Sequence, residues 1–280
     1  MWHILGGRRP CGAASVARVV VWSIVAVLGL LALASLAPAS PVEAAPALRT
    51  GGPDDFGYTF KDSHEPGGPA YAWEEIAATG TLVTGWNDYD NGFAGPIPIG
   101  FDFKFYGTSY SALFVSSNGY LSFGSGFGSI PSSSPLPQPA DPNNAIVLYG
   151  GNMHLNNYGS DSAVYYQTLS NPTRLVVQFN RLYWCCQTYE PHTFQVVLHP
   201  NGDIEARYSQ LIYSNPYAVG IENINGTDGL NYGANLATSL AIRYSYPTGV
   251  QLAPAEQERF GKRGAVVTHR LRVTNHTGGP

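Results

Sequence analysis

From Ile97 onward the chain alternates between large apolar and polar side chains. Phe101, Phe103 and Phe105 fall on one side, and Asp102, Lys104 and Tyr106 on the other. A period of two sends neighbouring side chains to opposite faces, so this pattern predicts a strand with one face buried. Residues 113–123 read as two alternating arms around Asn118-Gly119, a pair suited to the positive φ values of a type I′ hairpin turn. The second half repeats the logic. Residues 164–169 and 175–184 alternate, with Leu175, Val177, Phe179 and Tyr183 sharing a face. Residues 193–198 and 204–208 flank the turn Pro200-Asn201-Gly202-Asp203, and residues 217–221 and 240–246 add two more strands. Turn residues recur at short intervals with no helical period between them, the pattern of an antiparallel sandwich. The expectation is an all-β, jelly-roll-like β-sandwich with an N-terminal signal helix. One short helix is predicted over residues 71–78, closed by Gly80.

Composition sharpens this picture. Hydrophobic residues make up 44% of the 280 residues and charged ones only 12%, with 32 Gly, 21 Pro and 18 Tyr. Coiled coils and helical bundles need far more Glu, Lys and Leu, so both are excluded. A formal charge of −4 without any Lys/Arg run argues against nucleic acid as a partner. Residues 124–142 form a Gly/Ser/Pro loop longer than most inside compact domains, and loops of that length are functional or mobile.

The first residues carry Arg8, Arg9 and Arg18 and no acid, followed by an apolar stretch over 19–36 and a small-residue segment ending at Ala45. That order predicts a secretory signal peptide over residues 1–44, cleaved after Val42-Glu43-Ala44. An uncleaved anchor is the alternative, and the only expected contact with a membrane. Residues 45–55 read as a flexible leader and 56–247 as the sandwich. Residues 250–280 hold one or two strands, which either complete that sandwich or open a second domain.

The candidate chemistry is sparse. Gly107-Thr108-Ser109 superficially matches a subtilisin-like nucleophile block, but its serine lies between strands and no His or Asp partner block exists, so no catalytic residue is expected. His64, His154, His192 and His199 read as ordinary exposed loop or strand-end residues. Asn87-Asp88-Tyr89-Asp90-Asn91-Gly92 is rich in oxygen and makes Asp88 and Asp90 calcium candidates; the same residues also form turns unaided. No other cofactor is expected. Cys185 and Cys186 could form a vicinal disulfide, strained because adjacent Cα atoms lie only ~3.8 Å apart, or remain free thiols on opposite faces of a strand. Exposed aromatics, above all Trp86, Tyr89, Trp184 and Tyr189 (with Trp73, Phe93 and Tyr183), could form a platform for a glycan or a protein.

Six blocks together carry a family resemblance. Phe56-Gly-Tyr-Thr-Phe60 with Glu65-Pro-Gly-Gly-Pro69, Ile99-Gly-Phe-Asp-Phe-Lys-Phe-Tyr-Gly107 and Phe114-Val-Ser-Ser-Asn-Gly-Tyr-Leu-Ser-Phe123 open it. Val164-Tyr-Tyr-Gln167, Thr193-Phe-Gln-Val-Val-Leu198 and Ala218-Val-Gly-Ile-Glu-Asn223 continue it. Their order over residues 54–247 is similar to the extracellular domain of nidogen-like proteins. The resemblance implies a jelly-roll-like module of secreted or cell-surface bacterial multidomain proteins. The tail over 252–278 resembles the first strands of Ig-like repeats that follow such modules. Related modules often carry an aromatic followed by acidic residues where this chain has Leu148-Tyr-Gly-Gly-Asn-Met153, so no ligand or metal role is carried over to that loop. The resemblance implies a non-catalytic role in adhesion, partner binding or spacing, with an extracellular protein or glycan as partner. Alternatives are the accessory domain of a secreted subtilisin-like peptidase and a carbohydrate-binding module.

Overall fold

A computed structural model describes residues 49–155, 161–185, 188–253 and 260–276. The predicted signal peptide lies outside these residues. Among the described residues seventeen strands follow one another: β1 (Thr50–Gly51), β2 (Thr59–Asp62), β3 (Thr81–Leu82), β4 (Phe93–Phe105), β5 (Thr108–Ser116), β6 (Tyr120–Ser122), β7 (Ala145–Gly150), β8 (Met153–His154) and β9 (Ala163–Leu169). Then come β10 (Arg174–Trp184), β11 (His192–Leu198), β12 (Ile204–Gln210), β13 (Ala218–Glu222), β14 (Gly229–Asn231), β15 (Leu240–Ser245), β16 (Val250–Ala253) and β17 (Arg272–Asn275).

They form a nine-stranded sheet, β1-β2-β15-β12-β11-β10-β9-β3 with β8 on β10, and a six-stranded sheet, β14-β13-β7-β6-β5-β4. Every pairing is antiparallel. The inner faces meet in one core: Phe103, Leu121, Ile146 and Leu148 from the smaller sheet, and Leu175, Val177, Phe194, Val196 and Ile204 from the larger. The buried Tyr208 hydroxyl crosses between the sheets and donates to Leu148 O at 2.7 Å.

The expected fold needs correction in three places. A jelly roll sends successive strands to alternate sheets; here β4 to β7 run as one meander in the smaller sheet and β9 to β12 as another in the larger. The architecture is therefore a sandwich of two meanders. No helix lies among the described residues, and the expected N-terminal helix is not among them. Residues 71–76 form neither helix nor strand and end in a turn where Gly80 N donates to Ile76 O at 2.7 Å.

That last segment lies across the outer face of the larger sheet, where two fully buried glutamines hold it. Gln195 accepts from Glu74 N (3.3 Å) and donates to Glu74 O (3.1 Å); Gln178 accepts from Ile76 N (3.1 Å) and donates to Glu75 Oε1 (2.8 Å). Ile76 packs on Val176 and Val197 beneath it. An eight-residue helix is marginal alone, and these sheet amides satisfy the Glu74 and Ile76 backbone instead. Around them runs a charged chain: Glu74 pairs with Arg174 and Arg207, and the buried Glu205 with Arg207 and Arg243. Burial alone would raise the Glu205 carboxyl; the two guanidiniums outweigh it and hold it below its usual range.

Local irregularities redirect side chains. In β10 the register shifts between Phe179 and Leu182, with Arg181 at φ 59°. The bulge inverts parity, so Leu182 enters the core and Tyr183 leaves the face it was expected to share with Phe179. Residues 117–119 form a three-residue turn between Ser116 and Tyr120, rather than the expected two-residue one, and Gly119 alone of the three is left-handed, at φ 80°. Residues 49–55, read as a leader, hold β1, and Asp228 accepts the Asp55 and Phe56 amides at 2.9 and 2.8 Å. The last two strands, β16 and β17, pair with each other as a separate ribbon. His276 after them meets the Phe56 ring edge-on at 4.9 Å.

Candidate functional site

Loops at one end of the two meanders are tied together by a single side chain. Asn118, fully buried, donates to Asn91 Oδ1 (3.1 Å) and Gly128 O (3.0 Å) and accepts from Met153 N (2.9 Å). The loop before β4, the long loop after β6 and the segment entering β8 are thereby fixed to the β5–β6 turn. The adjoining Ser117 hydroxyl donates to Asp90 O and accepts from Gly92 N at 3.0 Å, closing the same junction.

The segment entering β8 in turn seats an aromatic groove. Gly151 lies against the Trp184 indole, and a side chain there would overlap the ring. Trp184, Ile212, Tyr213, Ser214, Asn215 and Tyr217 line a surface depression of about 460 Å³. The Trp184 and Tyr217 rings stand 5.3 Å apart at 58°, and Trp184 meets the buried Tyr149 at 6.1 Å. Tyr149 anchors the outer wall by donating its hydroxyl to Tyr213 O at 2.9 Å. Ile212, Tyr213 and Tyr217 are each more than two-fifths exposed. The Tyr213 hydroxyl bonds Glu190, and the Ser214 hydroxyl faces Asn215 Oδ1 at 3.4 Å.

Behind the groove, His192 stacks on Tyr149 at 4.6 Å and accepts the Ile212 amide through Nδ1 at 3.4 Å. Burial pushes its imidazole down to about 4, so it is neutral at physiological pH. His192 and His154 are both fully buried, contrary to the exposed positions expected of them. Aromatic stacking and apolar contact flanked by an amide, a hydroxyl and a carboxylate equip this groove for binding.

The sequence-predicted aromatics divide between places. Trp184 stands in the groove. Trp86 and Tyr89 line a second, smaller depression of about 260 Å³ with Leu82, Leu155 and Tyr165. The Trp86 indole donates to Val83 O at 3.2 Å, and Tyr89 O accepts the Leu155 amide at 2.7 Å. Tyr189 is exposed next to Glu190, the partner of Tyr213. Ile212, Tyr213 and Tyr217 were missed by sequence reasoning: the pattern assigns Tyr217 to the start of a strand that in fact begins at Ala218, and only Ile212 and Tyr213, just before Ser214-Asn215-Pro216, lie outside every predicted strand.

Asp88 and Asp90 lie in a loop that turns the Asp88 and Asn87 oxygens onto its own backbone and leaves Asp90 Oδ1 buried without a partner. Asp88 Oδ1 accepts from Asp90 N at 2.8 Å and Asn87 Oδ1 from Phe93 N at 2.7 Å. Among the described residues no group of three or more His, Cys, Asp or Glu side chains is placed to hold a metal ion. Cys185 is disulfide-bonded, and its amide donates to Asn152 O at 2.8 Å beside the groove; Cys186 lies outside the described residues. Ser109 lies within β5 opposite Lys104.

A family model described as NIDO related matches residues 57–258. The chain belongs to the NIDO-related family. The match spans both meanders, the groove and β16, in agreement with the nidogen-like resemblance carried by the six sequence blocks. Membership in the NIDO-related family points to an extracellular module. Neither a curated protein nor a solved structure matches the chain.

Proposed function

We propose that this NIDO-related chain is a non-catalytic module of a secreted or cell-surface protein, and that it works by binding a glycan in the Trp184–Tyr217 groove. One observation carries the reading: two tilted aromatic rings and a half-exposed Tyr213 converge on a depression edged by Ser214 and Asn215. Sugar rings offer apolar C–H faces for such stacking and hydroxyls for amide and carboxylate partners. The groove's one aliphatic hydroxyl, on Ser214, faces the Asn215 amide oxygen at 3.4 Å, an arrangement that supports binding rather than acyl transfer.

Glycan-array binding of the purified protein tests this. Tyr217→Ala removes a half-exposed wall and is expected to weaken a bound glycan about tenfold, near 1.4 kcal/mol, while leaving the fold intact. An array without hits, or hits untouched by Tyr217→Ala, would count against the glycan.

A further inference from the structure

The groove does not end at Tyr217. A second depression of about 230 Å³ adjoins it and shares Ser214, Asn215 and Tyr217 with it. Two further loops supply the rest of its polar lining: Ser133 from the long loop after β6, and Asn231 and Asn235 from the end of β14 and the stretch beyond it. The groove alone falls within the size of ordinary small-ligand sites, roughly 300–1,000 Å³, and the second depression falls below it. The smaller one is therefore an extension of the groove rather than a site by itself.

The fold holds each wall in place. Tyr217 N donates to Gly150 O at 2.7 Å, and Leu236 N, next to Asn235, donates to Ser214 O at 3.0 Å. The long loop is pinned by the buried Leu136, which packs with Tyr120, Ala145, Val147 and Ala218 and donates its amide to Asn231 Oδ1 at 3.3 Å. Ser133, Asn215 and Asn235 are exposed, so the second depression offers hydroxyl and amide groups where the groove offers rings. Among the described residues that line the two depressions none is Asp, Glu, Lys or Arg. Glu190, on the Tyr213 hydroxyl, puts a negative charge beside the groove.

Resting on the glycan reading of the groove, we propose that the two depressions form one cleft for an uncharged oligosaccharide of at least two units. One unit stacks on the aromatic rings of the groove, and the next lies beyond Tyr217 among Ser133, Asn215 and Asn235. Hydroxyls and primary amides both donate and accept, as sugar hydroxyls do, so they match a neutral sugar without any formal charge. An acidic sugar is disfavoured: its carboxylate would leave water for a lining that holds no cation, and would meet the Glu190 charge. Walls already fixed by backbone hydrogen bonds keep the ordering cost of binding low. The long Gly/Ser/Pro loop thereby acquires the functional role that its length implies, as one side of the cleft.

The test is an array of neutral and uronic-acid glycans, each series running from monosaccharide to hexasaccharide, followed by calorimetry of the full chain with the monosaccharide and trisaccharide of the series that binds. A neutral series is expected, with the trisaccharide bound about tenfold more tightly than the monosaccharide. Asn235→Ala should reduce that gain about fivefold, and Ser133→Ala, on a separate loop, should reduce it too. Tyr217→Ala should weaken monosaccharide and trisaccharide alike. An array without hits would remove the glycan reading of the groove and this proposal with it. Three other results would leave the groove standing and overturn the cleft: equal affinity for monosaccharide and trisaccharide, a uronic-acid series bound in preference to the neutral ones, or a length gain that survives both Asn235→Ala and Ser133→Ala.

Discussion

Replacing Asn118 by alanine removes the one side chain that holds three loops to the β5–β6 turn. Three hydrogen bonds go with it: those to Asn91 Oδ1 (3.1 Å) and Gly128 O (3.0 Å), and the one from Met153 N (2.9 Å). Each contributes about 1 kcal/mol net. The exposed Asn91 regains water, which keeps its share low, and the Met153 amide retains a second acceptor, Gly151 O at 3.0 Å. The expected loss is therefore about 2–3 kcal/mol, short of the penalty for a fully orphaned buried donor. For a domain of this size that lowers the melting temperature by roughly 5–10 °C. Urea denaturation measures the free energy, and amide hydrogen exchange locates it: Met153 should lose protection, while Val177 in the centre of β10 should lose it only in step with global stability. The effect should reach the groove as well, since Gly151 supports the Trp184 ring. A variant within 0.5 kcal/mol of wild type, or one whose Met153 amide exchanges as slowly as before, would refute the assignment of Asn118 as the junction.

Further predictions concern separate parts of the sandwich. Gly119→Ala, at φ 80° and with its added methyl driven into Tyr149 O, should cost about 2 kcal/mol or more in urea unfolding. Arg207→Met strips the buried Glu205 and the half-covered Glu74 of a shared partner, and should cost about 3 kcal/mol by the same measurement, more than Arg243→Met at the exposed end of the chain. Burial raises the Asp54 carboxyl to about 6, against hydrogen bonds from Gly57, Tyr58 and Tyr106 and with the Asp228 charge adding to the rise. A raised acid favours its protonated form in the folded state, so its contribution is intact below about pH 4 and disappears as pH rises through 6. Asp54→Asn keeps an oxygen for the two amides and cannot ionise; its advantage in thermal melts should grow between pH 4 and 6 to about 2–3 kcal/mol and then level off. A gap that stays constant across that range would show that Asp54 is not the titrating group.

Alternation alone determined that this chain is a β protein: Phe103 and Phe105 inward with Asp102 and Lys104 outward needs no partner information, because the two faces of a strand follow from its own backbone. The nidogen-like blocks were legible for the same reason, being strand and turn residues. Which strands share a sheet was not legible, since a meander and a jelly roll require the same alternating segments and differ only in long-range pairing. Parity across the Arg181 bulge was hidden too, because an inserted residue leaves no mark in composition. Gln178 and Gln195 read as polar positions on an outer face, and only the segment laid over them turned that face into an interior and replaced a predicted helix. The groove divides in the same way. Trp184 could be named as an exposed aromatic, but its neighbours Ile212, Tyr213 and Tyr217 lie about thirty residues away and meet it only when β10 and the loop before β13 are brought together. Local side-chain period is a property of the backbone and is written along the chain; convergence of distant loops depends on which strands pair, and that is decided by the packing of the whole core.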